Sequence, residues 1–158
     1  MSLKKLVYSV LIVSAAEGFN NAISALLPES KYSPVHFVSN ISAAKRALAE
    51  YAFDYVIINS PLPDDVGTRF AIDMGNSKET VVLLIVRAEL QAEIYDKVAE
   101  HGVFVLSKPT SKAFMATALC WLSSAREKLR KTEKKTLSIE EKMDVLWKYA
   151  QNHPIFIL

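Results

Sequence analysis

Residues 54–67 read DYVIINSPLPDDVG, a mostly apolar run followed by a segment rich in turn-forming residues. Residues 55–58 are mostly β-branched and apolar, which is typical of a strand buried on both faces of a sheet. Two prolines, two aspartates and a glycine between residues 60 and 67 predict that the strand ends there. Asn59 would then lie at the carboxyl edge of the sheet, where ligands bind in open parallel sheets.

Strand and helix patterns alternate along the rest of the chain. Strands are predicted at residues 6–13, 35–38, 55–58, 81–86 and 103–107. Helices are predicted at residues 17–27, 42–51, 68–74 and 89–100, with a last one after Lys108-Pro109. Ser42 is expected to cap the second helix and Gly102 to close the fourth. Because parallel neighbours need helical crossovers, the alternation predicts an α/β fold with a doubly wound parallel sheet.

Composition narrows the class of protein. A length of 158 residues fits one domain with an appended helix, and 51% hydrophobic against 23% charged residues is enough for a core. Cys120 is the only cysteine and the three histidines are scattered, so neither an internal disulfide nor a zinc framework is expected. The stretch 6–13 is too short for a membrane span and no cleavage site follows it. We therefore expect a cytoplasmic protein without membrane contact.

Two short motifs carry a family resemblance. Leu62-Pro63-Asp64 and Gly67 follow the third strand, and Lys108-Pro109 follows the fifth. With the order of the elements, they resemble the receiver domain of two-component response regulators over residues 3–124. The resemblance implies the CheY-like flavodoxin fold, a five-stranded parallel sheet in the order 2-1-3-4-5 with helices on both faces. It divides the chain into a pseudo-receiver domain at residues 1–124, a coiled-coil or linker helix at 125–150 and a tail at 151–158.

The positions that handle phosphate in that family are mostly changed in this chain. In the family, two aspartates after the first strand hold Mg²⁺, an aspartate after the third is phosphorylated, the fourth ends in Ser or Thr, and a lysine contacts the phosphoryl group. The matching residues are Ser14, Ala15, Asn59, Val86 and Lys108, and Val105 replaces a switching Tyr or Phe. Only the lysine is retained, so the resemblance implies a degenerate phosphorylation pocket.

The chemistry of these residues opposes phosphotransfer. An amide at position 59 cannot replace the carboxylate nucleophile, because it carries no charge and no comparable lone pair. Mg²⁺ prefers carboxylate oxygens, and Ser14 and Ala15 supply none. We therefore expect no phosphorylation, no metal, no cofactor and no enzymatic activity. The alternative is that Glu17, Asp64 or Asp65 leans into the site and supplies a carboxylate to Mg²⁺.

Lys108 would approach a pocket that holds no negative charge. A buried ammonium needs hydrogen-bond acceptors for its three donors. We expect these to be the side-chain oxygen of Asn59, the hydroxyl of Ser14, and nearby backbone carbonyls or water.

Residues recur at intervals of seven in the C-terminal quarter of the chain, a pattern typical of a coiled coil. The expected seam consists of Leu122, Leu129, Ile139, Met143 and Leu146. One interpretation is a parallel homodimer, since an apolar seam that extends past a receiver needs a partner to cover it. The other is one long helix whose first turns pack on the receiver. Residues 138–141 have the form of a capping box, so a break near residues 137–138 is a further alternative.

The same region is basic. Residues 126–135 include six basic and two acidic residues, whereas residues 1–125 include eleven basic and twelve acidic ones. Such a patch can bind RNA phosphates, but without interleaved aromatic residues it is also typical of the solvated outer face of a coiled coil. The candidate RNA contacts are Arg126, Arg130, Lys131, Lys134 and Lys135.

Residues 125–129 (AREKL) and 139–143 (IEEKM) extend the resemblance. After a receiver without its aspartates, they resemble the ANTAR-type (AmiR/NasR-like) transcription antitermination regulators. In that family a coiled-coil helix joins the receiver to a three-helix module that binds RNA hairpins. Residues 145–158 are too short for this module, so either the chain is truncated or frame-shifted, or the resemblance ends here. RNA is expected as a partner only if the intact protein carries the module.

Two classes of function follow from these observations. The favoured class is a non-phosphorylatable response-regulator-like protein, an antitermination regulator that acts through homodimerisation and through a regulatory protein partner. The alternative is a flavodoxin-like protein that binds a small molecule or nucleotide, or an enzyme on the same fold. Residues 14–18 contain one late glycine rather than a Gly-rich turn, which disfavours the alternative.

Overall fold

The computed structural model describes residues 7–77, 79–108, 111–133 and 139–151. Five parallel strands form one sheet in the order β2-β1-β3-β4-β5, which confirms the predicted order. The strands are β1 (Tyr8–Val13), β2 (Tyr32–Val38), β3 (Tyr55–Asn59), β4 (Val81–Arg87) and β5 (Val103–Lys108). Every residue of β3 is buried, because β3 lies at the centre of the sheet and helices cover both faces.

Six helices accompany the sheet in the part of the chain that the structure describes. They are α1 (Glu17–Ser24), α2 (Ile41–Glu50), α3 (Thr68–Gly75), α4 (Gln91–Val98), α5 (Lys112–Glu133) and α6 (Ile139–Gln151). Short 3-10 turns at Ala88–Leu90 and Ala99–His101 flank α4. Successive strand residues point to opposite faces. One face packs against α1, α5 and α6, and the other against α2, α3 and α4.

The residue that caps α2 differs from the expected one, whereas the residue that ends the turn after α4 is the expected one. Asn40, not Ser42, caps α2, because the Asn40 side-chain oxygen accepts a hydrogen bond from the Ala43 N–H over 2.7 Å. Gly102 ends the turn after α4 with φ of 74°, and Gly67 precedes α3 with φ of 90°. Both glycines occupy the left-handed region that other residues rarely adopt.

The described residues of the C-terminal region form two helices. α5 ends at Glu133 and α6 begins at Ile139, and the two helices are in contact. The predicted break near residues 137–138 lies outside the described residues. The first turns of α5 pack on the sheet through Met115, Ala118 and Leu119, as one interpretation of the sequence expected.

The expected dimer seam is largely covered by the chain itself. Leu122 is 1% exposed and Leu146 is 3% exposed, and both lie in the core that α1 and α5 form with the sheet. Met143 is half-buried beside Gly102. The side chains of Leu129 and Ile139 lie outside the described part of the chain. Leu122 and Leu146 therefore do not form an open face for a partner, because α6 returns to the domain and buries them.

The boundary expected at residue 124 falls within α5 and stays a prediction. α5 continues through it, and Ala125 and Arg126 just beyond it are buried. In α6, Tyr149 and Ala150 belong to the same core as the strands. Among the described helices, none combines the length and the apolar character that crossing a bilayer requires.

A buried lysine attaches α6 to the connection between α3 and β4. Lys142 is 1% exposed, and its ammonium donates hydrogen bonds to the backbone carbonyls of Gly75 at 2.8 Å, Thr80 at 3.1 Å and Ser77. These carbonyls lie between the end of α3 and the start of β4. A charged donor among three carbonyls offsets its loss of hydration, so Lys142 positions α6 against the sheet.

Candidate functional site

The candidate site lies where β1, β3, β4 and β5 end at the carboxyl edge of the sheet. The parallel register places Asn59 of β3 beside Ile85 of β4, and Arg87 of β4 beside Lys108 of β5. Ser14 follows β1, whose residues pair with those of β3. The sheet thus brings Ser14, Asn59 and Lys108 to one edge, as predicted from the sequence.

Ser14 and Asn59 form the buried polar centre of this edge. The Asn59 side-chain nitrogen donates to the Ser14 hydroxyl over 3.1 Å, and the Ala16 N–H donates to the same hydroxyl over 3.2 Å. Ser14 is 2% exposed and Asn59 is 5% exposed. Within the described residues, the Asn59 Oδ1 atom has no hydrogen-bond partner. The Asn59 amide therefore bonds Ser14 through its nitrogen and leaves its buried oxygen unsatisfied. An unsatisfied buried polar atom lowers the stability of the fold.

Lys108 uses a different acceptor from the two side chains that were expected. Its ammonium donates to the backbone carbonyl of Ser60 over 2.6 Å, and among the described residues neither Asn59 nor Ser14 accepts from it. The predicted contacts with those side chains are wrong, whereas the predicted use of a backbone carbonyl is correct. Burial lowers the pKa of Lys108 below its ordinary value, and the positive charge of Arg87 lowers it further.

Two of the three nearby carboxylates, those of Asp64 and Asp65, are engaged elsewhere. The Asp64 carboxylate accepts hydrogen bonds from the Ile41 N–H at 2.9 Å and from the Ser42 N–H at 3.1 Å, at the start of α2. These bonds, the one from Ile41 first, lower the pKa of Asp64. Asp65 accepts from the Gly67 N–H over 2.8 Å. Both aspartates shape the turn after β3 and the start of α2.

The residues of this edge do not fit the Mg²⁺ ion of phosphorylatable receivers. Mg²⁺ takes hard oxygen ligands in near-octahedral geometry, usually including carboxylates. Ser14 and Asn59 offer neutral oxygens, and Ala15 offers no side-chain ligand. The described part of the chain contains no group of three His, Cys, Asp or Glu side chains that could hold a metal.

Val86 and Val105 lie in the core rather than in an open pocket. Val86 is 1% exposed and Val105 is 2% exposed, on the face that packs against α2, α3 and α4. Neither side chain supplies a hydroxyl or an aromatic ring. The exposed Ala15 supplies no polar group either. Five of the six candidate pocket residues therefore lie at or near one edge, whereas Val105 lies in the middle of β5. The described polar contacts at this edge come from Ser14, Asn59 and Lys108.

The basic C-terminal patch is only partly described. Arg126 was a candidate RNA contact, but it is 8% exposed and its guanidinium pairs with the Asp54 carboxylate at 3.3 Å. Asp54 also accepts from the Ser9 N–H over 2.9 Å, at the amino end of the sheet. The half-buried Asp54 carboxylate thus holds Arg126 in the domain and away from solvent. The side chains of Arg130, Lys131, Lys134 and Lys135 lie outside the described residues.

A cavity beside this edge was missed by the sequence analysis. It has a volume of about 280 Å³ and lies between α1 and the first turns of α5. Asn59 and Lys108 line it, together with Ala16, Phe19, Ala22, Ile23, Leu26, Ile85, Ser111, Lys112 and Met115. The sequence signal was the apolar face of α1, which indicated packing but not that the helix stands off α5.

Solved structures with the same fold are receiver domains. The signal receiver domain of an HD domain-containing protein from Pseudomonas fluorescens Pf-5 is 21% identical, with a TM-score of 0.68 over 87% of this chain and 98% of that one. The chemotaxis response regulator CheY4 of Vibrio cholerae is 18% identical, with a TM-score of 0.61 over 73% and 98%. The beryllofluoride-activated NtrC4 receiver domain dimer is 24% identical, with a TM-score of 0.64 over 77% and 98%.

These similarities establish the CheY-like receiver fold for this chain. No protein-family model matches the sequence, and no curated protein matches it either.

Proposed function

We propose that this chain is a receiver-type signalling module that works without phosphorylation. The observation that supports this proposal is the Asn59 side chain at the end of β3, hydrogen-bonded to Ser14 at the end of β1 over 3.1 Å. An acyl phosphate forms on a carboxylate, and these two positions hold an amide and a hydroxyl. In this function, binding of a partner or ligand replaces phosphorylation as the switching event, and the chain has no enzymatic role.

Intact mass measurement tests the proposal directly. The protein is incubated with acetyl phosphate and Mg²⁺, beside a phosphorylatable receiver domain that confirms the activity of the reagent. We expect no phosphoryl adduct on this chain, because it lacks both nucleophile and metal ligands. An added phosphoryl mass that maps to residues 59–67 would refute the proposal.

The Asn59→Asp variant tests the missing nucleophile separately from the missing metal ligands. It restores the nucleophile, but Ser14 and Ala15 still supply no carboxylate to Mg²⁺. We therefore expect no adduct on this variant under the same conditions. Efficient phosphorylation of the variant would show that the missing metal ligands are not limiting.

The signalling output is proposed to be a contact with a protein partner, including a second copy of the chain. The NtrC4 receiver domain is described as a dimer, which makes homodimerisation a reasonable analogy. Pairing through Leu122 and Leu146 would require α6 to leave the core in which both are buried. The homodimer therefore stays a prediction, and Leu122 and Leu146 do not serve it while α6 is docked.

The antitermination role rests on the sequence resemblance of residues 125–143. Its RNA contacts would come from the basic patch at residues 126–135, in which Arg126 is engaged with Asp54. A filter-binding assay with RNA hairpins at two salt concentrations tests this role, since phosphate contacts weaken steeply as salt rises. Absence of salt-sensitive RNA binding would refute the antitermination role and leave the proposed signalling function in place.

A further inference from the structure

We propose that the cavity between α1 and α5 binds a small amphipathic carboxylate, with its carboxylate at Lys108 and Lys112 and its apolar body between the two helices. The proposal builds on the phosphorylation-independent function and supplies that function with an input. Its test measures binding, so its failure is distinguishable from a failure of the mass-spectrometric test.

The walls of the cavity are suited to an apolar body. Phe19, Ala22 and Leu26 of the α1 region face Ile85 of β4 and Met115 of α5 across it. The volume of about 280 Å³ lies just below the range of roughly 300–1,000 Å³ found for small-molecule pockets, so the cavity suits a small ligand. Phe19 and Leu26 are only half-buried, so this face of α1 is not fully covered by the chain itself. A ligand body would cover it.

The polar end of the cavity is positive. Lys108 and Lys112 both line it, and the described lining residues include no carboxylate. The Ser60 carbonyl takes one of the three donors of Lys108, and no other described residue accepts from this ammonium. Burial and the nearby Arg87 charge lower the pKa of Lys108, and a bound anion would oppose both effects. A carboxylate is therefore favoured over a neutral or cationic head group.

Asn59 adds an independent signal that a ligand belongs here. It lines the cavity, it is 5% exposed, and its Oδ1 atom has no hydrogen-bond partner among the described residues. Buried polar atoms are nearly always satisfied by protein, water or ligand. Asn59 Oδ1 is enclosed by the chain in this structure, so a rotation of the side chain would bring it to the cavity. A hydroxyl next to the ligand carboxylate would then complete the Asn59 amide, which makes a 2-hydroxy acid with an apolar substituent the best-matched class.

The described lining residues disfavour a nucleotide. They include no glycine and no carboxylate, the groups that contact pyrophosphate and ribose in dinucleotide sites. Inorganic phosphate would satisfy the lysines but leave the apolar walls uncovered. Apolar walls with two lysines at one end favour a single molecule that has both an apolar body and an anionic head group.

Isothermal titration calorimetry with the full chain tests the proposal. Three probes of similar shape are compared: 3-phenyllactate, 3-phenylpropanoate without the hydroxyl, and the neutral 3-phenylpropan-1-ol. We expect saturable binding of 3-phenyllactate, binding of 3-phenylpropanoate several-fold weaker, and no binding of the alcohol at 5 mM. Equal binding of the alcohol and the acids, or no binding of either acid at 5 mM, would overturn the proposal.

Variants place the binding in this cavity. Lys112→Met and Lys108→Met should each weaken 3-phenyllactate binding at least fivefold, and Ala22→Trp should abolish it by filling the space between the helices. Lys45→Met, an exposed position on α2 on the opposite face, removes the same charge and should bind as the wild type does. Melting curves confirm that each variant is folded. Unchanged affinity in both Lys112→Met and Ala22→Trp would show that the probe binds elsewhere.

Discussion

The ammonium of Lys108 at the end of β5 donates a hydrogen bond to the backbone carbonyl of Ser60 after β3, over 2.6 Å. The contact passes over the end of β4, which lies between these two strands. Lys108→Met removes the only described donor to this carbonyl, and hydrogen bonds to charged groups contribute about 1.5–3 kcal/mol. Because Lys108 is only half-buried, we expect a loss of about 1–2 kcal/mol in the free energy of unfolding, measured by urea denaturation at pH 7.

Lys112→Met is the matched control for this prediction. Lys112 is exposed in the first turn of α5, so its replacement should change the free energy of unfolding by no more than about 0.5 kcal/mol. Equal stability of Lys108→Met and the wild type would mean that the Ser60 contact contributes nothing to the folded state.

Asp64 makes the stability of the turn after β3 dependent on pH. Its pKa is lowered from 3.8, first by the hydrogen bond from the Ile41 N–H. The folded chain thus binds this proton less tightly than the unfolded chain, so the ionised carboxylate stabilises above pH 3.8 and the effect is lost as the pH falls through the folded pKa. We expect Asp64→Asn to melt below the wild type at pH 7, and the difference to narrow in acid.

Melting temperatures at pH 7 and at pH 3 provide the measurement. Asp73→Asn serves as the control, because Asp73 forms an exposed ion pair with Arg69 at 3.2 Å on α3 and should contribute little. A melting difference between Asp64→Asn and the wild type that is the same at both pH values would contradict the assigned role.

Lys142 is expected to hold α6 on the domain. Lys142→Met would leave the carbonyls of Gly75, Ser77 and Thr80 without this donor in a buried setting. An unsatisfied buried acceptor costs about 1–3 kcal/mol, so we expect about 2–3 kcal/mol less stability in urea denaturation. Lys148→Met on the same helix removes an exposed pair with Asp144 at 2.9 Å and should cost less than about 0.5 kcal/mol. Equal effects of the two variants would argue against the buried position of Lys142.

Replacement of Leu146 tests whether this residue belongs to the core or to a coiled-coil seam. Because Leu146 is 3% exposed in the core, Leu146→Ala should lower the free energy of unfolding by about 2–4 kcal/mol. Light scattering at tens of micromolar should give the same mass for the variant and the wild type. A variant that changes from dimer to monomer without loss of domain stability would instead restore the seam predicted from the sequence.

The strands and the residues at the carboxyl edge were accessible from local patterns, whereas the strand order came from the resemblance to receiver domains. Buried β-branched runs such as residues 55–58, with turn residues after them, are specified by neighbours in the chain. Parallel strands joined by helices admit few arrangements, so the placement of Asn59 and Ser14 at one edge followed from the alternation. Which positions differ from the phosphate-handling residues of receiver domains followed instead from the family resemblance.

The contacts of long side chains and the course of the last helix were decided by tertiary packing. Lys108 and its acceptor Ser60 are 48 residues apart, and Lys142 and Gly75 are 67 residues apart. A heptad pattern indicates which face of a helix is apolar, but it does not indicate what covers that face. From the sequence, Leu122 and Leu146 therefore fit a dimer seam and a domain core equally well. The cavity between α1 and α5 depends on how far apart two packed helices stand. That spacing is set by the whole core at once, and no local segment of the sequence encodes it.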